Sequence, residues 1–144
     1  MSNDKCFIDS TFFLHYLTND IPEFGDQIDD LILQAGKGEI QLITNSLVIV
    51  ELVWTLEYAY HLSRADIQRK ILAILNTPGL VIHDMDILFR ASYLYTEKQL
   101  DFLAAYHQAW LELVGIGCVA RFQNQPFPKM EIAPVSRPAF GIDH

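Results

Sequence analysis

Short apolar runs alternate with longer amphipathic ones along this chain, and that alternation constrains the fold more than any single motif does. Lys5–Ile8, Gln41–Ile43, Leu80–His83 and Cys118–Ala120 have the length and character of buried strands, and Glu131–Ala133 is a fifth candidate. Between them, apolar residues recur at helical spacing over about 11–17, 23–37, 47–61, 63–75, 84–95 and 100–114. The boundaries carry stop and start signals. Gly36 and Gly38 end the second helix, Asn45 or Ser46 caps the third, and Ser63-x-x-Asp66 resembles a capping box. Thr77-Pro78-Gly79 reads as a turn, Asp84 as the cap of the next helix, and Gly115 with Gly117 as the end of the last. Strands that alternate with helices predict a parallel sheet covered on both faces, a three-layer α/β/α sandwich with a central sheet of four to five strands. Residues 1–135 read as a single domain. Residues 136–144 have little pattern, and Pro138 and Gly141 argue against a helix there, so they read as a tail.

A chain of 144 residues is expected to bury about 70% of the surface its unfolded form exposes. With 51% hydrophobic and 12% aromatic residues it has the material for a packed core, which argues against disorder. The longest apolar stretch, Leu47–Leu56, falls short of the ~18 residues of a membrane span and is interrupted by Glu51. The opening MSNDK leads into only three apolar residues, too few for the apolar region of a signal peptide. A cytoplasmic protein without a membrane partner is the expectation. Cys6 and Cys118 fall in predicted strands and read as core packing rather than as a disulfide or zinc pair.

The net charge of −8 weighs against nucleic-acid binding, because phosphate contacts need lysine and arginine. The ten basic residues are scattered, with a minor cluster at Arg64, Arg69 and Lys70. Contact with RNA would need divalent cations or a basic partner to offset the charge. An acidic pocket filled by a cationic peptide fits the same balance.

Three carboxylates stand out. Asp9 ends the first strand run, where open α/β folds place their ligands, and it also suits the N-cap of the following helix. Glu51 lies within LVIVELVWTL, on a helix apolar on nearly every side. A carboxylate buried there needs a metal, another cation or an arginine partner. Glu57 lies near the helix end and reads as surface. Asp101 opens the helix DFLAAYHQAW, where it complements the helix dipole or serves as a third ligand. His61 and His107 are isolated, without an HExxH or cysteine pattern, so zinc is not expected. There is no glycine-rich phosphate loop and no GxSxG elbow, and no histidine is paired with Ser10 or Thr11. Any metal chemistry would use oxygen ligands, which suit Mg²⁺ or Mn²⁺.

The segments FIDSTFFLHYLTND, ITNSLVIVELVWTLE and LDFLAAYHQAWLELVGIG followed by CVARFQNQPF resemble, in order, four motifs of the PIN domains, and among these the VapC-type toxin ribonucleases. The resemblance covers about residues 5–135. It implies a PIN-like fold, Mg²⁺-dependent endoribonuclease activity with Asp9, Glu51 and Asp101 as catalytic and metal-binding residues, an antitoxin partner and a homodimer. Asp9 matches the family's first acid and Glu51 its second. The third acid falls on Ala104, with Asp101 matching the auxiliary aspartate before it, and the fourth falls on Gln123. Thr11 stands where the family has asparagine, and Arg121 where it has threonine or serine. An aspartate replaced by alanine loses both charge and an oxygen ligand, so the resemblance implies an activity that is weak or lost. The alternative is a catalytically inactive PIN-fold protein acting through protein or RNA binding. Arg121 separates the two: a guanidinium paired with Asp9 or Glu51 would occupy the place of a metal.

Overall fold

The structure is a computed structural model, and it describes residues 4–122, 126–127 and 129–135. Gln123 and residues 136–144, and with them the expectations of a lost fourth acid and a tail, lie outside the described residues. The described elements run β1 (Lys5–Phe7), α1 (Ser10–Thr18), α2 (Pro22–Gly36), β2 (Gln41–Thr44), α3 (Ser46–Tyr58), α4 (Arg64–Leu75), β3 (Leu80–Ile82), α5 (Met85–Glu97), α6 (Phe102–Val114), β4 (Cys118–Phe122) and β5 (Met130–Pro134). The chain is a mixed α/β protein. Among the described helices none is long and apolar enough to cross a membrane.

Strands β1, β2 and β3 form a parallel sheet in that order, with Phe7 beside Ile43 and Ile43 beside Val81. Among the described residues this sheet has three strands, not the expected four to five. β4 and β5 pair antiparallel with each other as a separate hairpin, with Cys118 opposite Pro134 and Phe122 opposite Met130. The short link from β4 to β5 suits an antiparallel pair, whereas a parallel pairing of these two strands would need a crossover of a dozen or more residues. Cys118, expected in a buried strand, is therefore exposed on that hairpin, while Cys6 is partly buried.

The two faces of the parallel sheet differ. Ile8, Leu42, Thr44, Leu80 and Ile82 are buried against the helices, whereas Phe7 and Val81 on the other face are 58% and 40% exposed. Parallel sheets are ordinarily covered on both faces, so among the described residues the second layer of the expected sandwich is incomplete. At the centre of the core lies α3, whose Ile49, Leu52, Val53 and Leu56 are fully buried with Ile67, Ile71 and Ile74 of α4, Leu88 and Ala91 of α5, and Phe102, Ala105 and Ala109 of α6. This apolar cluster is contiguous across helices and sheet.

Local chemistry sets the junctions. The Ser63 hydroxyl accepts from the N–H of Asp66 and starts α4, while Asp66 pairs with Arg69 one turn on. Gly79 has φ +83°, and its Cα lies so close to α2 that a methyl group there would sit 2.7 Å from the Ala35 Cβ. Only glycine permits both that backbone and that approach.

Candidate functional site

The carboxyl ends of the three parallel strands bring Asp9, Asn45, Ser46 and Asp84 to one edge of the sheet. Asp9 and Asp84 each lie two residues beyond their strand, after β1 and β3, and Asn45 and Ser46 follow β2 between them. With adjacent strands about 4.8 Å apart, the two aspartates flank the start of α3 across roughly 10 Å of backbone.

Asp9 caps α1. Its Oδ1 accepts from the Thr11 hydroxyl at 2.6 Å, the Thr11 N–H at 3.0 Å and the Phe12 N–H at 3.2 Å. Chiefly through the Thr11 hydroxyl, and next through the Phe12 N–H, its carboxyl is held below the ordinary aspartate value. Thr11, at the place where the resembling family has asparagine, thus supplies the strongest donor to this acid. Asn45 caps α3 by accepting from the Val48 N–H at 3.1 Å. The backbone at the strand ends is held by Thr44, buried, whose hydroxyl donates to the Ile8 carbonyl at 2.8 Å.

The sequence presents Asp84 only as a helix cap. It occupies the cap position of α5, but its side chain makes no capping bond and turns toward α3 and α6 instead. Its Oδ2 accepts from the Tyr106 hydroxyl at 3.0 Å and from the Ser46 hydroxyl at 3.4 Å. Burial is the main influence that raises the Tyr106 phenol above its ordinary value, and the Asp84 carboxylate adds to it. The signal for Asp84 lay in the sequence: like Asp9, it follows a strand run closely.

Glu51 is not buried. It falls on the one exposed stripe of α3, with Leu47, Trp54 and Tyr58, spaced 47, 51, 54 and 58 around the helix. Six other α3 residues are buried, which made the helix read as apolar all round while leaving room for one solvent face. Asp101 is exposed and occupies the cap position of α6 without a capping bond. Its charge acts on Tyr95, near the junction of α5 and α6. Glu57, expected at the surface, is partly buried and accepts a hydrogen bond from the Tyr95 hydroxyl. Arg121 donates to Glu131 at 3.0 Å across the β4–β5 hairpin, so its guanidinium is engaged there and not with Asp9 or Glu51. Ala104 is exposed on α6.

Among the described residues no group of three or more His, Cys, Asp or Glu side chains is arranged to hold a metal ion. The influences on Asp9 come from its own helix start and from burial, with no second carboxylate among them. Asp9, Glu51 and Asp101, which the resemblance implies as a Mg²⁺ or Mn²⁺ site, are not gathered into such a group. Compared with protein-family models, with curated proteins and with solved structures, the chain matches none. What the arrangement offers chemically is an acidic edge with hydroxyl and amide groups between its carboxylates, suited to receiving cationic groups.

Proposed function

We propose that the chain is a PIN-type, VapC-like domain whose acidic site has eroded, so that RNA hydrolysis is weak or lost and the carboxyl end of the sheet serves for binding. The observation that carries this reading is Asp9 and Asp84 flanking Asn45 and Ser46 at the ends of adjacent parallel strands, where α/β folds bind ligands. The partner chemistry follows from charge. A net −8 repels phosphates and attracts arginine and lysine, so the natural occupant is a basic protein segment of the antitoxin kind rather than RNA.

The test is a fluorescence anisotropy titration with a labelled arginine-rich peptide and, separately, with single-stranded RNA, each at low and at physiological salt. The peptide binds, the binding weakens with salt, and replacing both Asp9 and Asp84 by Asn weakens it about tenfold, as the loss of two screened charges should. RNA neither binds nor is cut, and Mn²⁺ titrated calorimetrically binds no tighter than millimolar. RNA cleavage that needs Mg²⁺ and disappears in Glu51→Gln would overturn the eroded-site reading in favour of a working ribonuclease. Peptide affinity unchanged in the double Asn variant would remove the acidic edge as the binding site.

A further inference from the structure

A groove of about 590 Å³ lies between the C-terminal half of α1 and one face of α4. Tyr16 and Leu17 line it from α1, Asp66, Arg69 and Lys70 line it from α4, and Leu62, just before α4, completes its wall. Asp66, Arg69 and Lys70 stand at positions i, i+3 and i+4 and so share one helix face, while Ile67, Ile71 and Ile74 are buried in the core. Leu17 and Leu62 pack partly buried against that core, so apolar walls lie beside the charged ones. Charge sets the groove apart from the rest of the surface. The chain has ten lysines and arginines against 18 aspartates and glutamates, yet here two cations meet one acid, a local +1 on a chain of −8. That acid, Asp66, is already paired with Arg69. Lys70 is half-buried and forms no ion pair among the described residues. Tyr16 lies seven residues beyond Asp9, about 10 Å along α1, so the groove is separate from the acidic edge.

We propose that this groove binds a small aromatic carboxylate, its carboxylate on Lys70 and the remaining donors of Arg69, its ring against Tyr16, Leu17 and Leu62. The sign of the ligand follows from the unmatched ammonium of Lys70. A guanidinium has five N–H donors, more than one carboxylate takes up, so Arg69 can hold Asp66 and still donate to a second anion. The number of charges follows from the local sum. One negative charge balances the +1 of the groove, whereas a phosphate dianion would leave it negative on a chain that already repels anions. The body of the ligand follows from the walls. Two leucines and a tyrosine ring offer apolar contact that acetate could not use and that a flat ring fills well. The volume also lies within the range of about 300–1,000 Å³ usual for small-molecule sites.

The experiment is a calorimetric titration of 2-naphthoate into the full chain, with ¹H–¹⁵N NMR spectra to locate the contact and circular dichroism to confirm that each variant folds. Binding saturates below about 1 mM and shifts the amide signals of residues 16–17 and 66–73. Lys70→Gln weakens it about fivefold, and Arg69→Gln, which removes a cation and unmasks Asp66, does the same. Asp66→Asn acts in the opposite direction and tightens binding about threefold, because a repelling charge is gone. The side chains of Arg69 and Asp66 are 70% and 42% exposed, so these two variants read the site even if Lys70→Gln does not fold. Lys98→Gln removes an exposed cation at the end of α5 and leaves the affinity unchanged. The uncharged 2-naphthalenemethanol binds about tenfold more weakly than the acid. Absence of saturable binding overturns the inference, as does equal binding of the alcohol. So does a loss in Lys98→Gln equal to that in Lys70→Gln, or amide shifts confined to residues outside the groove. Tighter binding of 2-naphthyl phosphate also overturns it, in favour of an organic phosphate. The peptide titration of the acidic edge uses other residues, so the two readings fail separately.

Discussion

Replacing Arg64 by alanine tests the joint between α4, α5 and α6. The guanidinium Nη1 donates to the Tyr95 carbonyl at 2.9 Å and to the Leu100 carbonyl at 2.5 Å, and its carbon lies 4.5 Å from the centre of the Tyr95 ring. The Tyr95 carbonyl belongs to the last turn of α5, where no backbone N–H of the same helix reaches it, so the arginine closes the helix end with a side chain from another helix. Hydrogen bonds from a charged donor contribute about 1.5–3 kcal/mol each, and the cation over the ring adds ~0.5–1 kcal/mol. Arg64 is half-buried, so water replaces part of this on truncation, and the expected loss is about 3 kcal/mol for Arg64→Ala. Arg64→Lys keeps the charge but offers a single point donor, and should lose roughly half as much. For a domain of this size each kcal/mol moves the melting temperature by ~3 °C, so the alanine variant should melt about 10 °C lower and the lysine variant about 5 °C lower. Calorimetry and urea denaturation with an unchanged slope check the numbers. A melting temperature within ~2 °C of the parent for Arg64→Ala would refute the argument, because the two carbonyls would then need no protein donor.

Gly79→Ala should cost roughly 2–5 kcal/mol, since the left-handed backbone strains any Cβ and the added methyl runs into Ala35, which a denaturant midpoint will register. Thr11→Val removes the strongest donor to Asp9, so the Asp9 carboxyl, followed by its ¹³C shift during an NMR pH titration, should move back up toward 3.8. The sign for stability follows. Asp9 titrates lower in the folded chain, so its contribution is present above the unfolded value and is lost as pH falls through the lower folded one, and Thr11→Val should reduce stability at neutral pH while flattening this acid limb.

The first three strands and the six helices were readable because each lies between strong punctuation, such as Asn45 before α3 and Thr77-Pro78-Gly79 before β3. β4 and β5 were readable as strands but not in their pairing: an apolar run of three to five residues does not say which edge it joins, and only the long-range contacts decide. Glu51 misled for a related reason. In a helix where most positions are apolar, periodicity loses contrast, and the exposed stripe shared with Leu47, Trp54 and Tyr58 disappears into the average. Asp84 fitted an ordinary cap so well by position that the alternative use of its carboxylate, toward Ser46 and Tyr106, was hidden until α3 and α6 were seen to meet beside it.

The spatial order of the parallel strands repeats their order along the chain, and this bears on how the protein comes into being. Each strand finds its neighbour among residues made immediately before it, with one pair of helices in between. During synthesis from the N-terminus, every backbone bond of that sheet is available once Ile82 has left the ribosome, before α5 and α6 exist. The nascent chain would then wait with α3 half-wrapped, its buried residues facing the places that Leu88, Ala91, Phe102 and Ala105 will later fill. That interval, between a finished sheet and an unfinished core, is when the chain most needs protection from its neighbours.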